Sequence, residues 1–414
     1  MVEMRMAEGV LAPTSPVVVV LLLVICTALL LLVVRMRHWL ARLIAGIAVV
    51  LVAMSVGIVL VNDSFGYYTT WSDAVAGTFG APIAPLKAAA PTLAPTASVN
   101  MQRRGPLVEP HGRLVAVNLA GRFSRIHRPG LVYLPPQYSN AAYRATRFPV
   151  VELLHGTPGG PWNWRDQLHI ASSIDSLMAH RAIGPMVFVM PQISVGPAQE
   201  CLNYGSVRDD TYVSRDVPAD ILAHYRVSRV AAEWALMGYS SGGYCAANLA
   251  LRHRSAFGAV ASMDGYYWPN DGPAFRRLGN NRRAELANDP LYLAQRLASS
   301  TVPLPQFWLS AGTGSADDVH SASTFAAAVQ RVEKVSLVLQ PGAHHNFYSW
   351  RDQVPTALAW VWQAIAPPAL RVRFPTGGSV TTTAIRADPR ASKYHRRPRT
   401  LAKAPPTTVA PRVR

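Results

Sequence analysis

The fold is decided by a stretch that runs from Glu233 to Gly243 and reads EWALMGYSSGG. An apolar run typical of a buried strand, Trp234–Met237, precedes a turn of glycines and serines. A helix-compatible stretch, Gly243–Arg252, follows directly. Strand, tight turn and helix in this order form the repeating unit of a parallel sheet.

The same alternation extends in both directions from this stretch. The strand-like runs are Leu114–Leu119, Gly130–Leu134, Val150–Leu154, Met186–Met190, Trp234–Met237, Ala259–Met263, Gln306–Leu309 and Val335–Leu339. The helix-like stretches are Leu168–His180, Val217–His224, Gly243–Arg252, Ala322–Val332 and Val354–Ile365. This alternation predicts an α/β fold with a mainly parallel sheet covered by helices on both faces.

The turn itself has the pattern of a nucleophile elbow, Gly-x-Ser-x-Gly. A serine held at a tight strand-to-helix turn needs small neighbours two residues before and two after it. Gly238 and Gly242 meet this need for Ser240, whereas Ser241 has Tyr239 two residues before it. The pattern therefore favours Ser240 as a nucleophile over a plain glycine turn.

A serine nucleophile needs a histidine base and an acid that orients the histidine. Two later loops offer these groups in the order acid, then histidine. Asp317 and Asp318 follow the strand-like run Gln306–Leu309, and His344 and His345 follow Val335–Leu339. Asp264, after Ala259–Met263, is a third candidate acid whose alternative interpretation is a turn residue at a strand end.

Several segments between His111 and Ala366 resemble the esterase D / antigen 85 branch of the α/β-hydrolase superfamily, which includes the mycobacterial mycolyltransferases. They are Val132–Tyr138, Leu153–Gly160, the elbow, and His345 with Trp350-Arg351. The resemblance implies an α/β-hydrolase fold and an acyl-enzyme. It selects His345 over His344, because the family's catalytic histidine stands five residues before a tryptophan.

The resemblance also assigns the remaining site residues. Matching the mycolyltransferase loop places the acid at Asp318, where the family has glutamate, and matching other members places it at Asp317. The family's oxyanion donors correspond to the backbone N–H groups of Thr157 and Ser241, although the glycines around Thr157 are also compatible with a simple turn.

Two uncharged apolar runs near the N-terminus, Val17–Val34 and Leu43–Val61, are long enough to cross a bilayer as helices. Arg35, Arg37 and Arg42 surround the short loop between them and predict that the loop is cytoplasmic. A cleaved signal peptide followed by one anchor is the alternative, but no compact basic region precedes Val17. The prediction is a multi-pass anchor in the cell membrane with the rest of the chain outside the cytoplasm.

The predicted organisation has four parts: the anchor (residues 1–61), an Ala/Pro-rich linker (62–105), the catalytic domain (106–368) and a basic Pro/Thr-rich disordered tail (369–414). The net charge of +17 suggests nucleic-acid binding, but 11 of the 40 basic residues and a single acid lie between Arg371 and Arg414. Anionic lipid or wall polymer is the nearer partner for such a tail outside the cell, and no nucleic acid is expected.

Cysteine and metal patterns give two further expectations. Cys201 and Cys245 both fall in the presumed exported domain, where a disulfide between them can persist, while Cys26 lies in the first apolar run. Two separate small buried residues are the alternative interpretation. No His/Cys/Asp cluster has metal-ligand spacing and no glycine-rich loop suits a phosphate, so no cofactor or metal is expected.

Together these patterns predict a membrane-anchored, extracytoplasmic serine esterase or acyltransferase that acts on ester-linked acyl groups. The acceptor of the acyl group is water in an esterase and a sugar hydroxyl in a mycolyltransferase-like enzyme, and the substrate is an acyl ester or a cell-envelope glycolipid. The competing hypothesis is a non-catalytic envelope scaffold or binding protein that keeps the hydrolase fold.

Overall fold

The computed structural model describes residues 15–65, 111–193, 200–269, 273–279, 281–297, 304–330 and 335–376. The predicted linker after residue 65 lies outside these ranges. The predicted basic tail lies outside them from residue 377 onward.

Eight strands form one sheet in the order β1-β2-β4-β3-β7-β8-β9-β10. Their bounds are β1 Arg113–Ala120, β2 His127–Leu134, β3 Val150–Leu154, β4 Val187–Pro191, β7 Trp234–Tyr239, β8 Ala259–Met263, β9 Gln306–Gly312 and β10 Val335–Gln340, while β5 Asn203–Tyr204 and β6 Val207–Arg208 pair separately. The six strands from β4 to β10 in this order are parallel, and β1 and β2 run antiparallel at one edge. The predicted α/β-hydrolase fold with a mainly parallel sheet is confirmed.

Two helices of membrane length, α1 Pro16–Arg35 and α2 Trp39–Phe65, come first, and shorter helices follow them along the chain. They are α3 Pro161–Asp166, α4 Ile170–Ala179, α5 Asp209–Thr211, α6 Val217–His224, α7 Ser241–Arg252, α8 Pro273–Arg276, α9 Arg282–Ala287, α10 Pro290–Leu297, α11 Ala316–Val329, α12 Phe347–Ile365 and α13 Pro368–Arg373. Apolar strand residues alternate between the two faces of the sheet. Val150 and Leu154 pack into one core and Val151 and Leu153 into the other, so both faces are buried.

Two helices begin earlier than the apolar pattern predicts. The side chain of Ser315 accepts a hydrogen bond from the backbone N–H of Asp318, so α11 begins at Ala316 rather than Ala322. Asn346 caps α12 by accepting from the N–H of Ser349, so that helix begins at Phe347 rather than Val354. A side-chain cap satisfies the backbone N–H donors of the first turn and so fixes where the helix begins. The apolar periodicity of the sequence does not indicate this position. The candidate acid and histidine therefore lie at helix N-termini.

The N-terminal helices α1 and α2 are long and apolar enough to cross a membrane. Both extend past the predicted apolar runs. Ser15 caps α1, and Pro16 fits its first turn. The helix α2 begins before its predicted run and includes Arg42, whose Nε donates a hydrogen bond to the carbonyl of Met36 at 2.6 Å. Three residues separate the end of α1 from the start of α2.

Cys201 and Cys245 form a disulfide, with their Cα atoms 5.6 Å apart. Cys245 lies in the first turns of α7, and Cys201 belongs to the segment between β4 and β5. The bridge therefore ties this segment to the helix that follows the elbow.

We expect the chain to contain no free thiol at Cys201 or Cys245. Intact-mass analysis after alkylation without reductant should add at most one label, on Cys26, which is a free thiol in the structure. The Cys201→Ser/Cys245→Ser double variant should lose about 2–4 kcal/mol of stability, because the cross-link restricts the unfolded chain. Two extra labels on the wild-type chain would contradict the bridge.

A carboxyl group lies inside the hydrophobic core, on strand β3. Glu152, in the middle of β3, is fully buried beside Val189 and Leu236 of the neighbouring strands. Neither of its carboxyl oxygens has a hydrogen-bond partner among the described residues. Burial raises the pKa of Glu152 well above 4.5, because removal from water penalises the charged form.

Replacing Glu152 with methionine should stabilise the fold by about 1–3 kcal/mol, since an unpaired polar group leaves the core. The gain should grow as the pH rises above 4.5, because the unfolded wild-type chain then releases a proton that the folded chain keeps. Glu152→Gln is the matched control. It cannot ionise and should remove only the pH-dependent part of the difference. Thermal unfolding followed by circular dichroism at several pH values measures both effects, and a methionine variant less stable than wild type at every pH would contradict this account.

Candidate active site

Ser240 stands at the junction of β7 and α7 with backbone angles φ 55° and ψ −125°. A positive φ is strained for a residue with a side chain and is sustained by the surrounding contacts. A Cβ atom at Gly238 would lie 2.2 Å from the carbonyl oxygen of Gly242, and one at Gly242 would lie 2.2 Å from that of Leu154. Only glycine fits at these two positions, so the turn holds the Ser240 side chain at the carboxyl edge of the sheet.

A hydrogen-bonded chain links three side chains from three segments. The Nε2 atom of His345 lies 2.9 Å from Ser240 Oγ, and its Nδ1 atom lies 3.0 Å from Asp318 Oδ2. Both distances are ordinary hydrogen bonds. With a proton on Nδ1, His345 donates to the carboxylate and presents a free Nε2 to the serine hydroxyl, which is the tautomer a general base needs.

The structure separates the competing candidates. His344 is exposed and its ring lies beside Gly314. Asp317 is exposed, whereas Asp318 is partly buried and contacts His345. Asp264 is buried, and among the described residues no hydrogen bond joins it to His345. It accepts hydrogen bonds instead from the backbone N–H of Gly312 and the indole N–H of Trp350, each at 2.7 Å.

The two proposed oxyanion donors lie on adjacent turns. The hydroxyl groups of Ser241 and Thr157 are 3.0 Å apart, which brings the β3 loop next to the elbow. Ser241 is the first residue of α7, where a backbone N–H has no acceptor within the helix. Neither the Ser241 N–H nor the Thr157 N–H donates to an acceptor in the part of the chain that the structure describes.

His155 supports the loop that carries Thr157 through buried hydrogen bonds, a role that the sequence pattern does not indicate. It is fully buried, with Nδ1 2.8 Å from the carbonyl of Gly156 and Nε2 3.2 Å from the backbone N–H of Ile193. Burial lowers the pKa of His155 to about 4, so the ring is neutral, with Nδ1 donating and Nε2 accepting. The ring therefore fixes the path of the chain just before Thr157.

We expect kcat/KM for ester hydrolysis to fall as the pH is lowered, with the midpoint of this fall above pH 6.5. Burial lowers the pKa of His345, but its hydrogen bond to Asp318 and the charges of Asp318 and Asp264 outweigh burial and raise it above 6.5. The base is protonated and inactive below that pKa, so activity is retained above it and lost as the pH falls through it. Initial rates between about pH 5 and 9 measure the midpoint, and a value below 6.5 would contradict this balance.

The site therefore combines a strained serine, a histidine base, an orienting carboxylate and two backbone donors that have no acceptor among the described residues. This set suits attack on a carbonyl carbon followed by stabilisation of the resulting oxyanion. It contains every protein group that covalent acyl transfer requires.

Comparisons with known proteins agree with this geometry. A family model described as putative esterase matches residues 126–363. An uncharacterised protein of Corynebacterium glutamicum is 26% identical over 266 residues, which cover 60% of this chain and 62% of that protein. The chain thus matches less than two thirds of the length of this curated relative.

Two solved structures share the fold. A ferulic acid esterase superposes with a TM-score of 0.54 at 19% identity, covering 62% of this chain and 99% of that one. An S-formylglutathione hydrolase from Agrobacterium tumefaciens superposes with a TM-score of 0.52 at 18% identity, covering 62% and 96%. At these identities the similarity establishes the α/β-hydrolase fold, which the family resemblance predicted.

Proposed function

Because the chain belongs to the putative esterase family, we propose that it is a membrane-anchored serine esterase or acyltransferase whose catalytic domain lies outside the cytoplasm. The observation that carries the catalytic part is the hydrogen-bonded chain from Ser240 through His345 to Asp318. The substrate is an ester-linked acyl group, with cell-envelope acyl lipids as the proposed natural source.

The residues act in a fixed order. Ser240 Oγ attacks the ester carbonyl while His345 Nε2 takes its proton, and Asp318 holds the imidazole and stabilises its positive charge. The N–H groups of Thr157 and Ser241 stabilise the oxyanion of the tetrahedral intermediate. His345 then protonates the departing alcohol, which leaves an acyl group on Ser240.

The acceptor that removes this acyl group distinguishes the two activities. His345 takes a proton from water in a hydrolase, or from a sugar hydroxyl in a mycolyltransferase-like enzyme, and the acceptor oxygen attacks the acyl carbon. The bond between the acyl carbon and Ser240 Oγ then breaks, and His345 returns the proton to Oγ. The resemblance to the antigen 85 branch supports a sugar acceptor, and membership of the esterase family supports water.

The proposed location is supported by two features of different kinds. The basic residues Arg35, Arg37 and Arg42 lie at the turn between the two apolar helices, which favours a cytoplasmic turn and places the catalytic domain on the opposite side. The Cys201–Cys245 bridge also suits an oxidising compartment.

Labelling of the full chain in membranes with a fluorophosphonate probe tests the catalytic proposal. Ser240 should carry the label, whereas a non-catalytic scaffold would remain unlabelled. Turnover of p-nitrophenyl esters of graded chain length, with and without trehalose, then separates the acceptors. Acylated trehalose supports the acyltransferase, and release of free acid alone supports the esterase.

Protease added to intact spheroplasts tests the location. The catalytic domain should be removed while the membrane is intact. A domain that is protected until the membrane is permeabilised would place it in the cytoplasm and refute the proposed orientation.

A further inference from the structure

We propose that Asp264 is a positioning residue that fixes the acid and histidine segments of the active site relative to each other. This inference rests on the proposed function, because it assigns a role within the same site. It is carried by the contacts of Asp264, which reach both the strand that leads to the acid and the helix that follows the histidine.

The first contacts link Asp264 to the strand that leads to the acid. Its backbone N–H donates to the carbonyl of Ser310 at 2.9 Å, and its Oδ1 atom accepts from the N–H of Gly312 at 2.7 Å. Both partners lie in β9, which ends at Gly312 just before the cap of α11. Asp264 thus sets where the chain leaves the sheet on its way to Asp318.

The second contact reaches the histidine segment through Trp350. The other carboxyl oxygen of Asp264 accepts from the Trp350 indole N–H at 2.7 Å. The Trp350 ring meets His345 edge to face, with centroids 5.1 Å apart, and stacks on Tyr239 at 4.6 Å. Tyr239 directly precedes the nucleophile, so one indole touches both the base and the elbow.

The conformation of Asp264 is what a positioning role requires. It is 1% exposed and has a positive φ of 46°, a region that non-glycine residues rarely occupy. Such a conformation persists only where the surroundings impose it. Ser240 donates its backbone N–H to the neighbouring Met263 carbonyl at 2.9 Å, so the strained residue lies beside the nucleophile strand as well.

The charge of Asp264 gives a readout that packing alone would not produce. Two carboxylates, Asp318 and Asp264, raise the pKa of His345 against the effect of burial. Of the other charged groups on the adjoining segments, Asp317 is exposed and Arg351 donates to the Gln167 carbonyl. Removing the Asp264 charge should therefore lower the pKa of His345, and the acid limb of activity should move to lower pH.

The test uses Asp264→Asn in the full-length chain, with Asp317→Asn as the matched control. Asparagine tolerates a positive φ, which favours an intact fold. Its NH2 group is not an acceptor, so asparagine replaces only one of the two carboxylate oxygens that accept from the Gly312 N–H and the Trp350 indole N–H. We expect kcat per fluorophosphonate-titrated site to fall about tenfold or more with KM nearly unchanged, because the base and acid are misaligned. The control removes one negative charge at the residue next to Asp318, and its kcat per titrated site and KM should match those of wild type.

The pKa of His345 is measured independently of catalysis by its reaction with diethyl pyrocarbonate, which acylates only the neutral imidazole, followed by peptide mass spectrometry. In Asp264→Asn the midpoint should move down by roughly half a pH unit or more. Trp350→Phe removes the indole N–H donor and one of the two rings. It should lower kcat and shift the midpoint less than Asp264→Asn does.

The outcomes distinguish this inference from the proposed function. A wild-type chain that neither turns over esters nor labels at Ser240 refutes the function, yet a shifted His345 midpoint would still support the role of Asp264. An unshifted midpoint with unchanged kcat per titrated site refutes the inference while leaving the function intact. A variant that merely loses titratable sites without a change in kcat per site would show that Asp264 only stabilises the fold, which also refutes the inference.

Discussion

Ester turnover by the Ser240→Ala variant is expected to fall by about 10⁴-fold or more, and the fluorophosphonate label should disappear. The hydroxyl of Ser240 is the group that His345 Nε2 reaches, at 2.9 Å, so no acyl-enzyme can form without it. Any residual rate reflects binding and the oxyanion donors, which the substitution leaves in place. Steady-state hydrolysis and probe labelling should both show this loss.

Ser241→Ala is the matched control for this prediction. The donor assigned to Ser241 is its backbone N–H, which alanine retains, and the substitution removes only the hydroxyl bond to Thr157. Loss of one such bond should change the rate by about tenfold or less. Loss of activity in Ser241→Ala with survival of Ser240→Ala would move the nucleophile by one residue.

His345→Ala should lower turnover nearly as much as Ser240→Ala, and the double variant should be no worse than either single variant. Residues that act as one relay are strongly non-additive, because removing one member makes the others ineffective. Steady-state rates at a pH above the His345 pKa measure the effect without interference from protonation.

His344→Ala offers a control at the adjacent position. The His344 side chain is exposed and lies beside Gly314, away from the Ser240 hydroxyl. This variant should keep most of the wild-type activity. The opposite pattern, with His344→Ala inactive and His345→Ala active, would exclude the arrangement described above.

The fold was predictable because each strand of the parallel sheet is a short apolar run between turns. Val150–Leu154 and Ala259–Met263 coincide with β3 and β8 at both ends. Short helices such as α8 and α9 were not predicted, because a helix of one or two turns has too few residues to establish a periodicity.

The family resemblance permits both Asp317 and Asp318, and the apolar pattern does not separate them, because it predicts a helix from Ala322 that leaves both acids in a loop. Successive residues of a helix point about 100° apart, so a helix that begins at Ala316 directs only one of two adjacent side chains towards His345. The sequence Ser315-Ala316-Asp317-Asp318 has the spacing of a helix cap and could have indicated this start.

The contacts of Asp264 were beyond sequence reasoning. Its partners Gly312 and Trp350 are 48 and 86 residues away along the chain. A buried acid after a strand has the same local pattern whether it orients a histidine or binds an indole. Only the spatial arrangement shows that Asp318 contacts His345 and that Asp264 contacts the tryptophan beside it.

The buried carboxyl of Glu152 couples folding to proton uptake. At a pH above 4.5 the unfolded chain binds fewer protons at this position than the folded chain, so folding withdraws a proton from the medium. The raised pKa of His345 acts in the same direction. Acidification therefore favours the folded state at both residues while it protonates the base that attack by Ser240 requires. An acidic medium would therefore keep the chain folded while it blocks the His345 base, and neutralisation would free this base again without refolding.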